Sequence, residues 1–253
     1  MHILSIGNSF SQDAQRYLHQ IAKADGVNLD AFNLYIGGCP LSLHYRNMLS
    51  EQDAYVLEMN GHSTYFKVSL KEALLNRGWD VITIQQVSSE SPYYETYQPY
   101  LDKIVEYVRI HVPKAKIAIH QTWAYEENSQ RLNVELGYKN QVDMFEDIKT
   151  AYEKAFKAVN ADLMIPSGEV FQKMISSGIA KVHRDTFHAS YGVGRYALGL
   201  IWYAMLTGKD IMSNTFCDFD EEVSKTEIEI AKKCVKEVCC IREVLWYDKK
   251  RNI

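Results

Sequence analysis

The sequence predicts a three-layer α/β/α sandwich built on a mainly parallel sheet of five strands. Short apolar segments typical of strands alternate with amphipathic segments typical of helices along the 253 residues. Residues 81–85 are almost continuously apolar, as expected of a strand that is buried on both faces. Because ligands of such sheets bind beyond the carboxyl ends of the strands, we expect the functional groups in the loops that follow them.

The periodicity assigns an element to most of the chain. Strands are expected at residues 2–6, 31–36, 81–85, 116–120 and 162–165. Helices are expected at residues 12–24, 71–76, 97–112, 138–159, 169–176, 190–206 and 221–246. Residues 53–70 alternate around Asn60-Gly61, which favours a type I′ turn, and we interpret them as an inserted β-hairpin. No linker or internal repeat interrupts the pattern, so residues 1–253 are expected to form one domain.

Composition and charge exclude several classes of protein. With 47% hydrophobic and 24% charged residues, the chain can bury a full core and is not disordered. The formal net charge of −4 gives no basic surface for nucleic acid. The apolar stretch 196–208 is too short to span a bilayer and is expected to be a buried helix. We therefore expect neither nucleic acid nor a membrane as partner, and the sequence does not predict the oligomeric state.

The cysteines and the first residues bear on the cellular compartment. The five cysteines are odd in number and include no C-x-x-C spacing, which favours reduced thiols. The chain starts directly with a predicted strand and shows no secretory leader. As written, the sequence predicts a cytoplasmic protein, or a secreted or periplasmic one if a leader has been removed.

A serine follows the first predicted strand in the segment 7–11, Gly-Asn-Ser-Phe-Ser. Gly7 permits a tight turn, and the next helix points its free N–H groups and positive dipole end at this loop. A nucleophile at Ser9 would have an anion-stabilising environment there. The alternative is that Ser9 or Ser11 only caps the helix.

The segment 184–188, Arg-Asp-Thr-Phe-His, places an aspartate and a histidine three residues apart before a predicted helix. An aspartate at this spacing can orient an imidazole, and a serine needs such a base to become a nucleophile. We predict a triad in which His188 takes the proton of Ser9 and Asp185 stabilises the imidazolium. His183 is the competing base, and a surface histidine beside a turn aspartate is the alternative interpretation.

Acyl transfer also requires hydrogen-bond donors to the developing oxyanion. The candidates are the N–H groups of Ser9 and Gly38 and a side-chain amide from Gln85 or Gln86, which end a buried strand. Successive strand residues point to opposite faces, so at most one glutamine faces the site. We expect this to be Gln86, because it lies nearer the loop.

Three further residues are candidates for substrate contact. Asn8 precedes the proposed nucleophile, and Trp123 and Tyr125 follow the fourth predicted strand. The two aromatic rings could stack on a sugar or pack against a neighbouring loop.

The segment 7–11 resembles the first block of the SGNH hydrolases, also called the GDSL family, in which Gly-Asp/Asn-Ser carries the nucleophile. Gly38 matches the glycine of the second block, and the segment 185–188 matches the Asp-x-x-His of the fifth block. The resemblance extends from residue 3 to about residue 208. It implies the flavodoxin-like fold of these enzymes and the same roles for Ser9, Asp185 and His188.

The third block departs from the family pattern. It is usually Gly-x-Asn-Asp, whose asparagine donates to the oxyanion, whereas residues 85–90 here are Gln-Gln-Val-Ser-Ser-Glu. A glutamine can supply the same type of N–H, and Ser89 is another possible donor.

These observations predict a serine esterase, with an O-acyl group such as acetyl on a carbohydrate as the expected substrate. One alternative is a non-catalytic carbohydrate- or anion-binding domain on the same fold. Another is a flavin or phosphate binder whose loop 8–12 holds an anion at a helix N-terminus. The sequence shows no metal-ligand spacing and no nucleotide-binding motif, so we expect no metal and no cofactor.

Overall fold

A sheet of seven strands forms the centre of the protein. The computed structural model describes residues 1–251, with side chains as far as Cys240. Within that part of the chain the strands are β1 His2–Gly7, β2 Asp30–Tyr35, β3 Tyr55–Met59, β4 His62–Val68, β5 Val81–Ile84, β6 Lys116–Gln121 and β7 Leu163–Pro166. Their order is β4-β3-β2-β1-β5-β6-β7. Strands β1, β2, β5, β6 and β7 are parallel, so their carboxyl ends lie at one edge of the sheet.

Residues 53–70 form the expected hairpin, but the hairpin extends the sheet instead of standing apart from it. Asn60 and Gly61 have φ angles of 52° and 80°, the left-handed conformation that a type I′ turn requires. Strand β3 pairs antiparallel with β2 and thereby satisfies the N–H and C=O groups along that edge of β2. The fold class is confirmed, and the expected number of five strands is wrong because the hairpin adds two.

Helices cover both faces of the sheet. One layer contains α1 Ser9–Gln15, α2 Leu18–Ala24, α7 Ser167–Ser176, α8 Val193–Thr207 and α9 Lys225–Arg251. The other contains α3 Leu41–Ser50, α4 Leu70–Leu75, α5 Tyr100–His111 and α6 Gln141–Ala158. Helix α8 is the buried helix that the apolar stretch predicts, and it contacts α1, α2, α7 and α9. None of the helices among residues 1–251 has the length and apolar character needed to cross a membrane.

Two differences from the expected helices affect the site. The single helix expected at residues 12–24 is divided into α1 and α2, and α1 begins three residues earlier than expected. Helix α3 lies in a stretch to which the periodicity assigns no element; it begins after Pro40, whose fixed φ suits a helix start. Both differences bring a helix N-terminus to the carboxyl edge of the sheet.

Three histidines are buried and neutral. Burial lowers the pKa of His44 and of His120 to about 3, and it lowers the pKa of His183 to about 4. Each ring has a hydrogen-bond partner; His44 Nδ1, for example, lies 3.1 Å from the hydroxyl of Tyr55. The core can accommodate these rings only without their charge, which links stability to pH.

The free energy of unfolding is expected to fall as the pH is lowered from about 6.5, the ordinary pKa of histidine. The pKa values of the three buried histidines are lower in the folded protein than in the unfolded chain. Below that pH the unfolded chain therefore binds more protons, and it is stabilised relative to the folded protein. Between the ordinary and the lowered pKa, each buried histidine contributes a slope of about 1.4 kcal/mol per pH unit. Urea unfolding at a series of pH values measures it. His44→Phe keeps a ring against Tyr55 and should remove the contribution of one histidine to the pH dependence of the free energy of unfolding. The same pH dependence in this variant and in the wild type would contradict the assignment.

Candidate active site

The proposed nucleophile lies at the start of α1, directly above the carboxyl end of β1. Asn8 is the N-cap of α1: its side-chain oxygen accepts a hydrogen bond from the Phe10 N–H at 3.0 Å. The Ser11 hydroxyl accepts one from the Asn8 N–H at 3.0 Å and completes the capping box. The capping alternative is therefore wrong for Ser9 and right for Ser11. The Ser9 hydroxyl is not needed to cap the N-terminus of the helix and can contact other groups.

The structure brings together the three residues of the predicted triad. His188 Nε2 lies 2.8 Å from Ser9 Oγ, and His188 Nδ1 lies 2.8 Å from Asp185 Oδ2. Asp185 Oδ1 also accepts the backbone N–H of His188 at 2.9 Å. With a proton on Nδ1 held by the carboxylate, Nε2 can accept the proton of the serine. The competing base, His183, contacts the carbonyl of Ala124 at 3.0 Å and takes no part in this arrangement.

Asp185 is held as a carboxylate. Its partial burial raises the pKa, but hydrogen bonds from the ring and the backbone N–H of His188, together with the charges of His188 and Arg184, outweigh burial and lower the pKa. The side chains of Asp185 and His188 are 46% and 17% exposed, so the triad is open to solvent. A substrate can therefore approach Ser9 without a rearrangement of the core.

Two backbone N–H groups remain available near the nucleophile. The Ser9 N–H is one of the unpaired donors of the first turn of α1. Gly38 lies in the exposed turn between β2 and α3 with a φ of 61°, a conformation that favours glycine. Within residues 1–240, neither N–H group has a hydrogen-bond partner. Both stay candidates for an oxyanion site.

The structure contradicts the expected role of Gln86. Its side chain is fully buried, and its oxygen accepts the N–H groups of Leu41 and Val87, both at 2.9 Å. Its amide nitrogen donates to Glu90 and to two oxygens of Thr96. All hydrogen-bonding capacity of Gln86 is thus used to join the start of α3 to the loop after β5, and none faces a substrate.

Gln85 is also held in a buried polar network. Its amide nitrogen donates to Asn8 Oδ1 at 2.8 Å, and its oxygen lies 2.6 Å from His120 Nδ1. His120 Nε2 in turn lies 3.0 Å from the Ser167 hydroxyl, and Asn8 Nδ2 donates to the carbonyl of Cys39 at 3.2 Å. This polar chain crosses the carboxyl ends of the parallel strands beneath the site. It contradicts an oxyanion role for Gln85 and a substrate contact for the Asn8 side chain, which is 1% exposed.

Trp123 and Tyr125 are packing residues and not a sugar platform. The Trp123 ring is fully buried, stacks on Phe10 at 4.1 Å between ring centroids, and donates to the carbonyl of Phe187 at 2.8 Å. Tyr125 is 2% exposed, and its hydroxyl lies 3.0 Å from that of Ser88. The expected sugar contact is therefore contradicted for both rings, whereas Trp123 supports the loop that carries His188.

Three charged residues of the site were not anticipated. Asp13 is fully buried one turn after Ser9, and its carboxylate contacts the guanidinium groups of Arg184 and Arg195. The signal was present in the sequence: Asp13 lies among apolar helix positions, and Arg195 enters the most apolar helix of the chain. A charge on a face predicted to be buried indicates a partner, but the sequence does not say which one.

Two solved structures show the fold of this protein. A protein from Slackia heliotrinireducens proposed to be an SGNH hydrolase superposes with a TM-score of 0.60 at 21% identity, covering 81% of this chain and 98% of that one. The lipase/acylhydrolase from Enterococcus faecalis superposes with a TM-score of 0.52 at 12% identity, covering 82% and 95%. The chain therefore has the fold of the SGNH hydrolases.

The comparisons also show the family. The model of the family DUF4886, a domain of unknown function, matches residues 2–238. The crystal structure of a DUF4886 protein from Bacteroides uniformis superposes with a TM-score of 0.89 at 31% identity, covering 95% of each chain. The protein belongs to the DUF4886 family. None of the curated proteins matches its sequence.

Gln86→Ala is expected to lower the free energy of unfolding by roughly 2 to 6 kcal/mol, because the N–H groups of Leu41 and Val87 lose their buried acceptor at about 1 to 3 kcal/mol each. Chemical denaturation measures the change. Ser89→Ala is the matched control, since Ser89 is exposed three residues away, and should change stability by less than about 0.5 kcal/mol. Equal stability of Gln86→Ala and the wild type would refute the structural role.

Proposed function

We propose that this protein is a serine hydrolase that cleaves a carboxylic ester. The observation that carries the proposal is the 2.8 Å contact between Ser9 Oγ and His188 Nε2, with Asp185 on the other ring nitrogen at the same distance. A nucleophile, a base and an orienting carboxylate in that order are the parts that acyl transfer through a serine requires.

The chemistry follows from these positions. His188 Nε2 takes the Ser9 proton as Oγ attacks the carbonyl carbon, and the negative charge passes to the carbonyl oxygen. The N–H groups of Ser9 and Gly38 are the proposed donors to that oxygen, with the Ser89 hydroxyl as a third candidate. The imidazolium returns its proton to the departing alcohol, which leaves an ester on Ser9. A water molecule, deprotonated by His188, then releases the acid and restores the serine.

For the substrate we propose a short O-acyl group, such as acetyl, on a carbohydrate. The buried rings of Trp123 and Tyr125 no longer support this choice. Support comes from the openness of the triad and from Tyr191, which is 43% exposed beside the guanidinium of Arg184. We propose that a sugar packs on this exposed ring, which follows His188 by three residues in the chain. The proposal is tested by measuring the release of acetate from an acetylated oligosaccharide and the hydrolysis of p-nitrophenyl acetate. Tyr191→Ala should lower the rate on the sugar ester and leave the rate on p-nitrophenyl acetate unchanged.

Ser9→Ala is expected to abolish labelling by a fluorophosphonate and to reduce kcat on p-nitrophenyl acetate by at least about 10³-fold, because among residues 1–240 only the Ser9 hydroxyl lies within hydrogen-bond distance of His188 Nε2. His188→Ala should cost about as much, and Asp185→Ala no more than either, since triad members act as a unit. Mass spectrometry locates the label. A label on Ser11 in the wild type, or near-normal turnover of His188→Ala, would contradict the assignment.

The kcat/KM value is expected to rise with pH, because only a neutral imidazole at His188 can accept the serine proton. The buried histidines cannot be the source of this rise: the pKa values of His44 and His120 are lowered to about 3 and that of His183 to about 4. Initial rates between about pH 5 and pH 9 measure the profile. A flat profile over this range would contradict His188 as the base.

A further inference from the structure

The buried carboxylate of Asp13 occupies a special position relative to the triad. It lies four residues after Ser9, on the same face of α1, and is fully buried. Its Oδ1 accepts Arg195 Nε at 2.8 Å and Arg184 Nη1 at 3.0 Å. Its Oδ2 accepts Arg184 Nη1 at 2.8 Å and the backbone N–H of Ala189 at 3.1 Å.

Two of these partners are the residues on either side of the segment 185–188. Arg184 immediately precedes Asp185, and Ala189 immediately follows His188. The segment is also closed on itself: the Arg184 N–H donates to the His188 carbonyl at 3.0 Å, and Arg184 Nη1 donates to the Ala189 carbonyl. Both ends of the loop are thus attached to one carboxylate on the helix of the nucleophile.

One contact inside the triad lies within a single loop, whereas the other joins two separate elements of the structure. The bond between Asp185 and His188 is local, since the two residues are three apart in one loop. The contact between Ser9 and His188 joins residues that are 179 apart in sequence and belong to different elements. Only the second contact requires that α1 and the loop be held in register. Asp13 joins them through polar contacts, beside the apolar link from Phe10 through Trp123 to the Phe187 carbonyl.

Stability alone is a weak reason for such a cluster. Buried ion pairs lose about as much in desolvation as they gain in attraction, and apolar residues of similar volume often stabilise a fold equally well. A carboxylate held by directed hydrogen bonds from Arg184, Arg195 and the Ala189 N–H does fix a distance more sharply than apolar packing does.

We propose that Asp13 is a positioning residue that sets the distance between Ser9 Oγ and His188 Nε2. The inference rests on the proposed esterase function and deepens it. A misplacement of about 1 Å between nucleophile and base can cost about 10²-fold in rate. The pairing of Asp185 with His188 should survive the loss of Asp13, so the pH at which activity rises should stay the same while the maximum rate falls.

Asp13→Asn is the direct test, since it keeps the shape and removes the charge and one acceptor. With p-nitrophenyl acetate we expect kcat to fall about 10²-fold or more, with KM within about threefold and the pH profile unshifted. Fluorophosphonate should still label every molecule at Ser9, but more slowly. This readout separates positioning from the loss of folded protein that does not refold, because such a sample would show incomplete labelling and a normal rate in the labelled fraction.

Asp220→Asn is the matched control. Asp220 pairs with the other side of Arg195 at 3.0 Å and is partly exposed, so the same change there should leave kcat within about twofold. If Asp13→Asn does not fold, Arg184→Lys is the second variant. It keeps the positive charge but replaces the planar guanidinium and its several N–H donors by an ammonium group. It should show the same loss of kcat with full labelling.

The outcomes distinguish the two proposals. A wild type that neither hydrolyses the ester nor takes up the label overturns the esterase function, and the role of Asp13 falls with it. An active wild type with normal kcat in Asp13→Asn and in Arg184→Lys overturns the positioning role alone. Incomplete labelling at a normal rate in both variants also overturns it, because Asp13 would then act only on folding.

Discussion

A single buried carboxylate joins the two halves of the candidate site. Asp13 has no exposed surface, and it is neutralised by Arg184 and Arg195. If either arginine were removed, the charge of Asp13 would remain in the core with half of its compensation, which is among the costliest changes a protein interior can undergo. The cluster also continues outward, since Arg195 and Arg16 both contact Asp220 at the surface. The position of α1 against the loop before α8 is therefore dictated by charge balance as well as by apolar packing.

The polar chain beneath the site has a direction, and the start of α1 sets it. The hydrogen bond from the Phe10 N–H identifies the contacting atom of Asn8 as the amide oxygen, so the amide nitrogen of Gln85 is the donor to it. The Gln85 oxygen then faces His120 and accepts a hydrogen bond from Nδ1 of that ring. This fixes the tautomer of His120 and leaves its Nε2 to accept from Ser167. The neutral state of His120 agrees with this order. The glutamines after β5 thus serve the architecture of the site, and the oxyanion donors that remain in our proposal are mainly backbone groups.

The sequence was sufficient for features whose signal is local. The alternation of elements predicts the layered fold, Asn60-Gly61 predicts the hairpin turn, and the Asp-x-x-His spacing brings Asp185 and His188 together in one loop. It was insufficient where the outcome depends on contacts between distant segments. Whether Gln86 or Trp123 faces solvent is decided by α3, by the loop after β5 and by the stacking of Phe10, none of which is visible in the local pattern. The pairing of the hairpin with β2 likewise depends on a free sheet edge that no short segment encodes.

The separation of the site along the chain has a consequence for biosynthesis. The ribosome makes α1 first, whereas Arg184 is 171 residues beyond Asp13 and Arg195 is 182 residues beyond it. Until both arginines have emerged, packing α1 into its final place would enclose an uncompensated negative charge, so the helix must wait or stay solvated. A nascent or prematurely terminated chain that ends before residue 188 therefore has the proposed nucleophile without its proposed base. The candidate site can therefore assemble only once the chain has been made as far as Arg195, and shorter copies lack a fully compensated Asp13.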